Sequence, residues 1–282
     1  MRFLAIFAFF AILGLRTQAQ GYLKDRNSHS KEICLFGGMS YYIGDLNQTG
    51  HYYKYQDPAG GLGFRLNINQ RFAFRIQGWV GKVHADDADA SSPVQRARNL
   101  RFESVIIEGS AQVEFNFLPF KVGSDDFFSP YIFAGIGGFH FNPQGKIGSE
   151  TYNLQQLSTE GQGTLAKPGS KRYGLTSACI PFGLGFKWSI GRYVGIGIET
   201  GIRKTFTDYI DDVSTTYPDP VALNSAQAVL LSDQTLNKDI KVNNAGRQRG
   251  DSKTTDWYSF TGVVLSITLP RKEQPCLGVL GR

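Results

Sequence analysis

LRFESVIIEGSAQVEFNF, residues 100–117, alternates for almost its whole length. Val105, Ile107, Ala111, Val113, Phe115 and Phe117 fall on one side of an extended chain. Glu108, Gln112, Glu114 and Asn116 fall on the other. Successive side chains of a strand point to opposite faces, so the segment reads as a strand with one greasy and one charged face. Its length suits a strand that crosses a bilayer at a tilt.

Seven further segments carry related patterns. Residues 31–44 place Ile33, Leu35, Met39, Tyr41 and Ile43 on one face. Residues 60–68 set Leu62, Phe64, Leu66 and Ile68 against Gly61, Gly63, Arg65 and Asn67, and residues 72–82 set Phe72, Phe74, Ile76 and Val80 against Arg75 and Gln77. Residues 178–188 carry Ile180, Phe182, Leu184, Phe186 and Trp188. Residues 194–203 carry Val194, Ile196, Ile198 and Ile202 opposite Glu199 and Arg203. Residues 130–141 and 256–269 are also strand-like, but their outward faces are not fixed by pattern. A soluble sandwich turns polar residues to water. A face of glycine with isolated charges instead suits the narrow interior of a small barrel whose outside meets hydrocarbon.

The connections agree with this reading. Residues 69–71, 119–129 and 189–193 are short links. Residues 45–58, 83–99, 142–176 and 204–255 are long and polar. Short turns at one end and long loops at the other are the outer-membrane pattern, with the turns in the periplasm. Backbone groups in lipid must all be paired, which requires closure. The fold expected is all-β: an eight-stranded antiparallel transmembrane β-barrel over residues 31–269.

Composition fits. Glycine is 33 of 282 residues, well above the usual ~7%. Charged residues are 19% and aromatics 13%, which argues against a disordered chain. The formal charge of +6 is spread without a dense basic block, so no nucleic-acid partner is expected. Met1-Arg2, an apolar run to Leu15 and Thr17-Gln18-Ala19 read as a signal peptide over residues 1–19. Its removal takes Arg2 and Arg16, leaving 28 basic residues against 24 acidic ones, a formal +4. Residues 20–30 and 270–282 then form an N-terminal segment and a tail, both in the periplasm, and the chain is expected in the cell outer membrane.

Arg65, Arg75, Glu108, Glu114, Lys187, Glu199 and Arg203 all lie opposite the apolar face. Isolated buried charges are costly, so these are expected to pair across the lumen. Eight strands leave an interior that side chains fill, which favours a plug over an ion path or a binding cup. Asp208, Asp211 and Asp212 in TFTDYIDDVST form a candidate loop interaction motif, either a cation or partner contact or a set of turn-capping carboxylates. The latter is favoured because the spacing lacks a calcium-loop pattern. Asp86, Asp87 and Asp89 read as a solvated loop tip. His29, His51, His84 and His140 are scattered, and no G-x-S-x-G elbow occurs, so no catalytic residue, metal or cofactor is expected, nor a small-molecule substrate. Cys34 and Cys276 would fall at the periplasmic end with Cys179 at the other; a Cys34–Cys276 bridge is not favoured.

GGMSYYIGDLN (37–47), ARNLRFES (97–104), EFNF (114–117), PYIFAGIGGFHFNP (130–143), STEGQG (158–163) and TFTDYIDDVSTTY (205–217) resemble the PorG-like outer-membrane barrels associated with the type IX secretion system of Bacteroidota. The resemblance spans nearly the whole mature chain, and TDYIDDVST is its most specific motif. It implies a non-enzymatic structural or assembly component that works with periplasmic subunits of a secretion machine. A stand-alone barrel with a ligand-binding or permeability role is the alternative, and a lipid-modifying enzyme a distant third. The expected partners are outer-membrane lipid and, by resemblance, those ring subunits. Arg71, Arg192, Arg271 and Lys272 would give the periplasmic end a basic bias, making them candidate contacts.

Overall fold

The computed structural model describes residues 29–47, 55–236 and 243–270. Eight long strands form the barrel: β1 (Ser30–Ile43), β2 (Asp57–Asn67), β3 (Phe72–Asp86), β4 (Arg101–Asn116), β5 (Phe128–His140), β8 (Thr176–Ser189), β9 (Val194–Thr205) and β10 (Trp257–Thr268). Each pairs antiparallel with the barrel strand before and after it, and β1 pairs with β10 from Glu32↔Thr268 to Ile43↔Trp257. That last ladder removes both edges, so the wall closes as lipid demands, with one interruption between β5 and β8 at Gly135-Ile136 and Ile180-Pro181, where proline has no N–H to donate.

All eight expected strands are present. The two undecided registers resolve as well. In β5, Ile132, Ala134 and Ile136 face out while Tyr131, Phe133 and Phe139 face in; in β10, Val263 and Ile267 face out while Tyr258, Phe260 and Val264 face in. The burial pattern is that of a soluble protein turned inside out. Ile136 is 73% exposed, whereas Glu114 is fully buried. An outward apolar belt with inward charge is stable only where the exterior meets hydrocarbon. At the turn end the belt closes in aromatics: Phe72 lies 5.1 Å from Phe115, and Phe128 5.4 Å from Trp188. Amphipathic and aromatic rings favour that interfacial level.

Glycine has a specific task in the wall. Gly38 and Gly262 face each other across β1 and β10, and a Cβ on Gly38 would lie 2.3 Å from the Thr261 carbonyl oxygen. Gly183 and Gly201 repeat the arrangement across β8 and β9, where a Cβ on Gly183 would also meet the Phe133 ring at 2.7 Å. Both pairs face inward, and rings take the space beside them: Phe36 of β1 at Gly262, and Phe133 of β5 at Gly183 and Gly201.

The turns are built as their sequence suggests. In the β2–β3 link the Asn69 side chain accepts from the amides of Arg71 and Phe72, both at 2.8 Å, a local bond that Asn makes readily. The long connections differ from expectation. They are not simply polar loops but fold into a cap over the outer mouth. A hairpin of β6 (Pro143–Ile147) and β7 (Glu150–Asn153) extends the sheet from the top of β4. Three short helices join it: α1 (Pro93–Arg98), α2 (Leu154–Leu157) and α3 (Ala226–Ser232). Leu154, Ile210, Val213 and Leu231 from these segments pack in one cluster with Tyr42, Phe102, Phe139 and Tyr258 of the strands. Tyr41 is likewise corrected: it keeps the outward phase of β1 but is buried.

Candidate functional site

The lumen is a stack of charge-paired side chains. At the turn end, Arg65 of β2 binds Glu32 of β1 at 2.9 Å and Glu114 of β4 at 3.0 Å. Glu114 also holds Arg75 of β3 at 3.1 Å and Lys187 of β8 at 3.2 Å. One carboxylate thus gathers three cations from three strands. The Arg75 guanidinium grips Glu199 of β9 with two nitrogens, at 2.7 and 3.0 Å, and Tyr131 donates to the same carboxylate at 2.6 Å. Higher up, Arg203 binds Glu108 at 3.0 Å, and Tyr258 donates to Glu108 at 3.1 Å. The Arg203 guanidinium sits 4.7 Å from the Phe260 ring centre and 5.2 Å from that of Trp79. The favourable π-faces offset part of its desolvation.

Every charge expected in the lumen is there, and the structure adds Glu32, which balances the set. The four buried carboxylates Glu32, Glu108, Glu114 and Glu199 face the four buried cations Arg65, Arg75, Lys187 and Arg203. A neutral, mutually bonded column tolerates a low-dielectric interior; an unbalanced one would not. The column is also closed at both ends. Below, Phe120 and Val122 of the β4–β5 connection are buried, with Lys187 5.1 Å from the Phe120 ring centre. Beside Cys34, Gln77 and Trp79 a cavity of about 10 Å³ has room for at most a single water.

Above, the cap is held by its own buried ions. Arg98 binds Asp87 through two nitrogens at 2.7 and 2.8 Å, and donates to the Arg249 carbonyl at 2.6 Å. Asp87 is therefore not part of a solvated tip: its neighbours carry the exposed surface while its own carboxylate anchors α1. Glu160 accepts the amides of Ser214 and Thr215 at 2.8 and 2.9 Å and pairs with Arg249 at 3.2 Å.

Asp211 and Asp212 are fully buried here, while Asp208 is half-buried. Asp212 accepts from Tyr173 at 2.6 Å and from Thr159, with Arg249 at 3.5 Å. Burial pushes its carboxyl up to about 6 despite Arg249, and pushes that of Asp208 up to about 7. Asp211 and Asp256 approach the single Tyr42 hydroxyl at 2.6 and 2.8 Å, while their other oxygens accept the amides of Val213 and Ile210. The single phenolic proton is shared between two carboxylates that repel each other when both are ionised. Burial is the main cause that raises both carboxyls well above the usual range. Asp256 adds to the rise of Asp211, and Asp208 to that of Asp256. The motif is thus a structural latch between cap and barrel, with Asp211 and Asp212 satisfied by protein donors. Among the described residues no three His, Cys, Asp or Glu side chains converge as metal ligands.

The remaining candidates are more dispersed. Arg71 and Arg192 lie in turns at the end opposite the cap. Arg71 donates to the Phe117 carbonyl at 2.9 Å, and Arg192 lies 5.3 Å from the Tyr193 ring centre. Arg271, Lys272 and Cys276, the segment 1–28 and His51 lie outside the described residues. Cys34 and Cys179 are both buried thiols in the wall. His84 belongs to β3, not a loop, and pairs with Asp57; His140 faces outward near Thr176.

The fold and the lumen together define a closed eight-stranded transmembrane β-barrel of the outer-membrane type, sealed by side chains. Within that class the chain belongs to the family described as Domain of unknown function (DUF6089), which matches residues 9–279. No curated protein matches it. Among solved structures it is similar to the Neisserial surface protein A, NspA, at 7% identity, covering 85% of this chain and 97% of that one with a TM-score of 0.42. It is also similar to Ail, the attachment invasion locus protein of Yersinia pestis, at 9% identity, covering 86% and 99% with a TM-score of 0.38. The outer membrane protein OprG from Pseudomonas aeruginosa matches at 9% identity, covering 85% and 97% with a TM-score of 0.38.

Proposed function

We propose that this chain is exported by its N-terminal signal peptide to the outer membrane and acts there as a non-enzymatic structural component of a protein secretion machine. In this reading it docks periplasmic ring subunits through its turn end. The observation that carries it is the neutral, bonded column from Glu32 to Glu108 beneath a folded cap. A barrel so filled offers its surfaces, not its interior, for work. The resemblance of TDYIDDVST and the strand motifs to PorG-like barrels supports assigning the machine to the type IX class. The basic turn residues Arg71 and Arg192 would steer an acidic partner and fix its orientation.

The test is a secretion assay in cells carrying Arg71→Glu with Arg192→Glu, and separately a chain lacking residues 271–282. Membrane insertion is verified by heat-modifiable gel migration. Loss of export of the machine's cargo, together with loss of co-purifying periplasmic subunits, is expected. Unchanged secretion and unchanged capture in both variants would reject the docking role.

A further inference from the structure

Outside the barrel, at the cap end, a cavity of about 250 Å³ lies where β3, β4 and β6 meet. Lys82, His84, Arg101 and Lys146 line it together with the carboxylates of Asp57, Asp86 and Glu103. The outward rows below it are apolar: Phe74, Ile76 and Val80 on β3, and Val105, Ile107 and Val113 on β4 are all exposed. In register, Val80 faces Ile107, Lys82 faces Val105 and His84 faces Glu103, so the β3 row turns charged at Lys82 and the β4 row one outward pair further up, at Glu103. At ~3.4 Å per residue and a tilt near 40°, Lys82 stands roughly 5 Å above Val80, and the belt from Phe72 to Val80 spans roughly 21 Å. That height is where the apolar band ends and lipid headgroups begin.

We infer that this cavity is a binding site for the phosphate of an outer-leaflet lipid headgroup. Glu103 holds the Lys82 ammonium at 2.7 Å and the Lys146 ammonium at 3.0 Å, fixing two cations from different elements on either side of one carboxylate. Each ammonium has three donors, and this pairing occupies one. Both heads remain open to the outside, with side-chain exposures of 42% for Lys82 and 46% for Lys146. Arg101 adds a guanidinium whose bond in the cavity, to the Lys146 carbonyl, is long at 3.4 Å. The carboxylates do not compete for these donors alone. Asp57 is taken by His84, and Asp86 accepts the Ala88 amide at 2.9 Å. What stays available is a fork of cationic donors facing sideways into the headgroup layer, the chemistry that suits a phosphate tethered to acyl chains lying along Val80 and Ile107. A soluble anion would gain the donors but not the apolar wall.

The experiment uses the full-length protein in phosphatidylcholine vesicles, with and without diphosphoryl lipid A, and measures lipid retained through detergent extraction. The variants are Lys82→Gln/Arg101→Gln/Lys146→Gln and, as a rim-charge control, Lys204→Gln at the outward end of β9. Native protein is expected to retain lipid A over phosphatidylcholine. The triple variant should lose about tenfold in retention, and Lys204→Gln should stay within about twofold. Heat-modifiable migration confirms that each barrel is folded; if the triple variant fails it, Lys82→Gln and Lys146→Gln are measured singly against the same control. Equal retention by native and cavity variants, or an equal loss on Lys204→Gln, overturns the site. Complete displacement of the lipid by millimolar inorganic phosphate would mean a free-anion site and overturns the headgroup assignment.

Discussion

Glu114→Gln is the sharpest perturbation of the lumen. The change is nearly isosteric, so it removes charge and leaves volume. Glu114 is fully buried and serves Arg65, Arg75 and Lys187. After substitution Arg65 keeps Glu32 and Arg75 keeps Glu199. Lys187 is left with ring contacts to Phe120 and Tyr131. Stranding one buried cation while its neighbours stay paired is expected to cost about 3 kcal/mol, at the low end of the range for broken buried pairs. Lys187→Met alone should cost less, because two arginines still hold Glu114. In the double variant the stranded cation is gone, so a coupling of at least about 1.5 kcal/mol should appear in the cycle. The assay is reversible urea unfolding in detergent micelles, read by tryptophan fluorescence and by heat-modifiable migration. If Glu114→Gln lies within about 0.5 kcal/mol of the native protein, the lumen is solvated and the paired column does not organise it.

Planar-bilayer recording of the purified barrel should show no stable large conductance, because the lumen charges are bonded to one another rather than lining an open path. Gly38→Val should destabilise the barrel by about 2 kcal/mol or more, since its Cβ meets backbone at 2.3 Å, whereas Gly37→Val, with open space outside, should be nearly neutral in the same urea assay. The cap should loosen as pH rises. The carboxyls of Asp212, Asp211 and Asp256 are raised in the folded state, so that state binds more protons, and stability falls as pH climbs from about 4 through their folded values. For Asp212, moved from 3.8 to about 6, the loss is roughly 3 kcal/mol and complete above about pH 7. Limited proteolysis of residues 206–256 should therefore be faster at about pH 9 than at about pH 5, and Asp211→Asn should blunt the difference; equal cleavage at both pH values would rule out raised carboxyls in the latch.

The wall was legible in the sequence because lipid enforces a strict period of two. Residues 100–117 alternate for most of their length, with Ile106 and Gly109 the departures in the middle, and Arg65, Arg75, Glu199 and Arg203 stand out as charges opposite apolar rows. Glu32 was missed because it sits at the strand end beside Lys31, where a charge on either face is ordinary. Its signal was the shared phase with Cys34 and Phe36, all inward. In 130–141 and 256–269 both faces are rich in apolar or aromatic residues, so pattern alone gave no direction. The cap was not legible. Its helices run four to seven residues, too short for a helical period to show. Its buried ions join residues distant in sequence, such as Glu160 with Arg249 and Asp211 with Tyr42. The Asp208, Asp211 and Asp212 motif marked the right segment, and its favoured reading, carboxylates engaged by local donors, matches Asp211 at the Val213 amide.

Periplasmic docking is tested most directly by site-specific photocrosslinking in secreting cells. The probe is placed at Arg71 and at Arg192 in the turns, and for comparison at Leu165 and Val221, which stand 81% and 91% exposed in the cap. Adducts with periplasmic ring subunits from both turn positions, and none from the cap positions, are the predicted result. Adducts with machine subunits only from Leu165 or Val221, with the turn positions silent, would contradict it.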